Sequence, residues 1–280
     1  MYLTQPNISK QLLTKTQSDL TSLAKTFLDS NLACKPNEII VIVTVLEMRK
    51  SRSCKPQAGA TWWWSSAQFA RCRFWFDHIT MALQTDYKAL QTLGRAIKKK
   101  LQTGKKMHIT STQGTDLAAS IRQSGVEAET GFLQAGKIGN LPSGEVFFAP
   151  VLGTTNGTLV IDGSIADDVL DEPITIEIHD GIATKFSGGM AAQNLQQKLS
   201  QYGKKGLTVA EIGIGTNKAA KISQNLLEAE KAFGTVHVAF GNSSAIGGEN
   251  NVPIHIDGLV SEPTVWVDDE IVLENRIFKI

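Results

Sequence analysis

The chain has 280 residues, 42% of them hydrophobic and 20% charged, with a net charge of +1. That balance excludes a disordered or collagen-like polypeptide and leaves room for one large or two modest domains. No apolar run approaches the ~18 residues of a membrane helix, Met1–Lys10 lacks the apolar stretch of a secretion signal, and three cysteines without a C-x-x-C pair make no disulfide framework, so a cytoplasmic protein without membrane contact is expected.

The first third reads as α/β. Leu12, Leu13, Leu20, Leu23 and Phe27 form an apolar stripe at helical spacing between residues 8 and 30. After Pro36 and Asn37 comes Ile39–Val45, a β-branched run suited to a strand buried on both faces. Residues 45–77 hold four of the five tryptophans and four of the seven arginines, with no clear period. They read as locally damaged or divergent sequence, and no function is placed there. The spacing predicts a helix over 85–102, its lysine-rich end suiting the negative pole of a helix dipole, and then a strand at Met107–Thr110.

From residue 111 the pattern turns β-rich with glycine punctuation. Strands are expected at Glu145–Ala149, Thr158–Ile161, Ile174–His179, Ile182–Phe186, Leu207–Ile212, Thr235–Phe240, Ile254–Ile256, Trp266–Val267 and Ile271–Leu273. Asp180-Gly181 is a hairpin signal. Helices are expected at Met190–Tyr202, stopped by Gly203, and at Leu226–Phe233. The expected organisation is an α/β N-terminal domain, residues 1–110, followed by an α+β, β-rich domain, residues 111–280.

Charge divides the same way. Residues 1–110 carry 17 Lys and Arg against 6 Asp and Glu, and residues 111–280 carry 11 against 21. The lysines are scattered or gathered at one helix end, which reads as a solvated face and not as a nucleic-acid stripe. The carboxylate surplus offers hard oxygen ligands to divalent cations.

His255-Ile256-Asp257 is the best local chemical signal. Positions two apart on a strand point to one face, so an imidazole and a carboxylate share a space. His237, Glu211 and Glu145 also lie in strongly apolar strands. Lone charges are costly to bury. Either one or two divalent cations, or ion pairs with lysines such as Lys218 and Lys137, would satisfy the five residues. The glycines of Gly213–Asn217 and Gly247–Asn251 read as turns at the rim of such a site, since they match neither the dinucleotide fingerprint nor the P-loop. No G-x-S-x-G elbow is present. His108 reads as structural and His179 as exposed.

Four segments resemble the thermophilic, aminopeptidase T-like metallopeptidases, relatives of the 2,5-dihydroxypyridine dioxygenase-like proteins. They are Asn140–Phe147, Glu211–Asn217, His237–Gly241 and His255–Asp257, and Gly114–Leu117 resembles a further signature. The match spans roughly residues 80–280 in the same order. It implies a two-domain, homodimeric metalloaminopeptidase that releases N-terminal residues from peptides through a metal-activated water. Carried over, Glu145, Glu211, His237, His255 and Asp257 would ligate a pair of divalent ions (zinc, cobalt or manganese), with Glu145 or Glu211 moving the proton. The peptidases place a tyrosine seven residues after the first histidine, where this chain has Ser244. Their N-terminal domain is also longer between the strand near residue 44 and the helix near residue 85. The wider group includes ring-opening dioxygenases, in which case His237, His255 and Asp257 could hold Fe(II). The altered tyrosine position and the segment 45–77 also admit a non-catalytic metal-binding protein.

Overall fold

The computed structural model describes residues 82–132, 139–165, 170, 172–223 and 225–280. The expected helix in 8–30, the strand at Ile39–Val45, the segment 45–77 and His78 lie outside the described residues.

Helix α1 spans Tyr87–Thr103. The Asp86 carboxylate caps it by accepting from the amides of Lys88 and Ala89 at 3.0 and 3.1 Å. Leu90, Gly94, Ile97 and Leu101 recur at helical spacing and form its buried face. The lysines at its other end are solvated or paired, as with Lys98–Glu127 and Lys100–Glu270.

Thirteen strands follow: β1 Lys106–Ser111, β2 Asp116–Ser120, β3 Glu127–Glu129, β4 Glu145–Phe148, β5 Asn156–Ile161, β6 Ile174–His179, β7 Ile182–Ser187, β8 Val209–Gly215, β9 Val236–Gly241, β10 His255–Val260, β11 Pro263–Val267, β12 Glu270–Glu274 and β13 Ile277–Phe278. Helix α2, Met190–Ser200, the single turns α3, Gly203–Gly206, and α4, Leu226–Ala229, and two short 3-10 turns, Gln123–Gly125 and Ser244–Ile246, complete the described elements. The chain is mixed helix and sheet, and sheet-rich. Strand β1, assigned from sequence to residues 1–110, pairs with β2 and β11 of the later stretch.

The strands form two antiparallel sheets. One has eight strands in the order β13-β12-β11-β1-β2-β5-β6-β7, and the other has five in the order β10-β9-β8-β4-β3. Alternation places Met107, Ile109, Leu117, Leu159, Ile161, Ile176 and Val265 of the large sheet in one buried cluster with Val146, Phe148, Ile212, Ile214, Val238, Phe240 and Ile256 of the small one. The sheets approach closely, since a Cβ on Gly258 of β10 would collide with Ile161 of β5.

Three expectations are corrected by packing. Strand β8 continues through Gly213 and Gly215, which are strand residues and not turns. Their missing side chains admit His237 and the Ala232 carbonyl, respectively. Residues 230–233 leave the expected helix because Asn217 claims their backbone, its N–H donating to the Lys231 carbonyl and its own carbonyl accepting from Phe233 N–H. Gly203 does not end the helical region but opens the turn α3, at φ 57°. The hairpin at Asp180-Gly181 forms as expected, with both φ angles positive, at 48° and 76°.

Candidate metal centre

The small sheet has two chemically opposite faces. Its even-numbered positions in β4, β8, β9 and β10 supply Val146, Phe148, Ile212, Ile214, Val236, Val238, Phe240 and Ile256 to the interior. The alternate positions carry Glu145, Glu211, His237, His255 and Asp257 on neighbouring strands. Register aligns them: Gly213 sits opposite His237, while Ala239 sits opposite both Glu211 and Asp257. A bulge between Val209 and Glu211 turns Glu211 to this face while Val209 stays with the core. Gly213 leaves the space that the His237 ring occupies.

All five side chains predicted from sequence are brought together. Ligand-type atoms of Glu145, Glu211 and His237 lie within 4.8 Å of one another, as do those of Glu211, His255 and Asp257. Glu211 belongs to both groups. Its Oε1 is 3.4 Å from His237 Nε2 and its Oε2 is 3.5 Å from His255 Nε2. His255 Nε2 is also 3.5 Å from Asp257 Oδ1. On its other side, His255 Nδ1 lies 2.7 Å from the Asn242 carbonyl. A carbonyl can only accept, so Nδ1 carries the hydrogen and Nε2 faces the carboxylates. Glu145 Oε2 is buried without a hydrogen-bond donor, a state that a cation would relieve. Three carboxylates and two imidazoles converging in this way fit a divalent metal.

The electrostatics agree. Burial disfavours a charged His237, but its hydrogen bond to Glu211 and the charges of Glu145 and Glu211 prevail and raise it to about 9. His255 is likewise opposed by burial and lifted to about 10 by Asp257 and Glu211. Burial raises Glu211. Asp257 feels the same burial penalty, yet the His255 hydrogen bond holds it below the usual carboxylate range. Without a cation, the imidazoles act as positive charges beside Glu211 and Asp257.

Three participants were not singled out from sequence. Lys231, fully buried, donates to Glu145 Oε1 at 2.6 Å and to Glu230 Oε1 at 2.5 Å. Glu129 on β3 sits opposite Glu145, and burial together with the Glu145 charge pushes its carboxyl up to about 7. Burial likewise raises Glu230 to about 8 against the pull of Lys231. The cation beside Glu145 is therefore Lys231 and not Lys218, whose ammonium lies 5.1 Å over the Phe233 ring. Lys137 lies outside the described residues. Ser244 occupies a short exposed turn, where its hydroxyl and amide bind Asn242 Oδ1. His108 stacks on Trp266 at 5.2 Å and binds Asp116, away from the site, and His179 is exposed.

Residues 79–278 match the 2,5-dihydroxypyridine 5,6-dioxygenase family, well over half of the chain. The chain belongs to this family. A 2,5-dihydroxypyridine 5,6-dioxygenase of Pseudomonas putida is 25% identical over 190 residues, covering 62% of this chain and 54% of the relative. The solved structure of the 2,5-dihydroxypyridine dioxygenase of Pseudomonas putida superposes with a TM-score of 0.63 at 23% identity, over 72% of this chain and 62% of that one. Aminopeptidase T of Thermus thermophilus superposes at 0.53 and 20% identity, over 77% and 60%. This member of the dioxygenase family thus shares a fold with an aminopeptidase, the relation expected from its motifs, and spans about half the length of the curated relative. Among the described residues, no helix is long and apolar enough to cross a membrane.

Proposed function

We propose that the chain is a metal-dependent aminopeptidase that removes the first residue of a peptide. The observation that carries this reading is the sharing of Glu211 between two ligand groups, each with one imidazole and two carboxylates. One ion in a mononuclear iron oxygenase is held by two histidines and a carboxylate together. Here His237 and His255 fall in different groups, an arrangement suited to two adjacent cations. Zinc, cobalt or manganese would suit the donors. Ions so held lower the pKa of bound water and polarise a carbonyl.

The chain's own groups then have distinct tasks. Glu211 would face both cations, Glu145 and His237 one, and His255 and Asp257 the other. Glu145 and Glu211 are thereby engaged as ligands. Glu129, able to keep a proton near neutrality, stands beside Glu145 and would give that proton to the departing amine as the peptide C–N bond breaks, taking in its place the proton released by the attacking water. The Asn242 carbonyl fixes His255, and Ser244 braces Asn242; no phenol is supplied from position 244.

A second reading, a ring-opening dioxygenase, is favoured by the family match. One preparation decides between them. The metal-loaded chain is offered peptides with free and with acetylated N-termini, and separately a dihydroxypyridine in an oxygen electrode. Release of N-terminal residues from free peptides alone is the expected result. Oxygen uptake with one iron per chain would overturn it in favour of the dioxygenase. Inactivity in both assays would leave a non-catalytic metal-binding protein.

A further inference from the structure

Lys231 is the buried charge that the ligand set leaves unused. Its ammonium bonds Glu145 on one side and Glu230 on the other and is sealed from solvent. Its backbone is equally fixed. The Lys231 carbonyl accepts from Asn217 N–H at 2.9 Å, Asn217 and Ala232 form a parallel bridge, and Gly215 packs so closely on the Ala232 carbonyl that a Cβ there would collide.

The two ligand groups share Glu211 but differ in how close this neighbour sits: the ammonium bonds Glu145 directly, while on Asp257 it acts only as the weakest of the nearby charges. Glu145, in one group, gives its Oε1 to Lys231 and keeps only Oε2 for another partner. In the other group, Asp257 and Glu211 have His255 as their close basic partner, a ring whose Nε2 is itself a ligand atom. A fixed positive charge repels an incoming cation more strongly the closer it sits.

We infer that Lys231 makes the two cation positions unequal. The Glu211–His255–Asp257 position fills first, and the Glu145–Glu211–His237 position is held at lower affinity by the ammonium beside it. The inference rests on the two-cation reading above and adds an order of filling and the residue that sets it.

The test is a titration of the metal-free full chain with Co2+, followed by calorimetry, by the visible absorption of the bound ion and by native mass spectrometry. Two steps separated by at least about tenfold are expected, the scale a nearby unit charge readily supplies. D257N should abolish the tight step. K231M should tighten the weak step and bring the two within about threefold. E230A, which removes the ammonium's second acceptor and leaves it to Glu145, should weaken the second step further, and it keeps the test open if circular dichroism shows K231M unfolded. A single ion in the wild type, joined by a second in K231M, would be the limiting form of the same result. Two equal steps in the wild type, or a spacing unchanged in both the K231 and E230 variants, would overturn the inference and leave the metal reading standing. A wild-type chain that binds no Co2+, Zn2+, Mn2+ or Fe2+ would overturn both.

Discussion

At the scale of single residues, Gly213 shows what the site asks of the backbone. A Cβ there would strike the His237 imidazole. Gly213→Ala should therefore weaken metal binding by about 10- to 100-fold, the usual effect of displacing a ligand's support, while the circular dichroism spectrum stays that of the parent. Protonation gives a second prediction. His237 and His255 keep their protons in the folded chain to about 9 and 10, whereas an unfolded histidine releases its proton near 6.5. Their contribution is complete below pH 6.5 and is lost as pH climbs through 9 to 10. Glu129 and Glu230, held protonated to about 7 and 8, act with the same sign from about pH 4.5 upward. The metal-free protein should thus melt at progressively lower temperature from neutral to alkaline pH, and added metal should release protons and flatten the profile. A melting point that rises over this range would contradict the assigned charges. The five candidate ligands were legible because each interrupts an apolar strand. Lys231 was not: within Leu226–Phe233 its charge looks like the ordinary wet side of a helix, and only the tie to Asn217 turns it inward.

At the scale of elements, the small sheet separates hydrocarbon from chemistry by alternation that one bulge, before Glu211, resets. Phe148 lies on the core face and is fully enclosed. Phe148→Ala should cost about 3–5 kcal/mol of stability, the common range for a buried aromatic, read from the midpoint of urea unfolding. Ile174–His179 and the Asp180-Gly181 hairpin could be read from sequence because β-branched runs and turn residues act locally. The ends of β8 and β10 could not. Gly213 and Gly215 look like breakers until the partner strand brings His237 over one of them, and Gly258 looks like a stop until Ile161 of the opposing sheet fills its space. Both are long-range contacts, invisible to a local pattern.

At the scale of the whole molecule, two antiparallel sheets share one apolar interior, and the carboxylates gather on the small sheet's opposite face. The carboxylate surplus of residues 111–280 anticipated this placement in kind but not in position. Because the folded chain alone assembles these donors, metal should stabilise it by mass action. A cation at ~100 times its dissociation constant adds about 2.7 kcal/mol. Thermal melting should move up by several degrees and return on adding a chelator; an unmoved transition would mean that the donors capture nothing.

One carboxamide joins distant parts of this architecture. The side-chain amide of Asn217 donates to the Ala82 carbonyl at 2.9 Å and to the Ser143 carbonyl at 2.8 Å, and its own backbone carries Lys231. A single planar group therefore ties the polypeptide at Ala82 to the loop two residues before Glu145. If these ties tighten when the donors close on a cation, amide exchange at Thr216 and Asn217 should slow on metal loading.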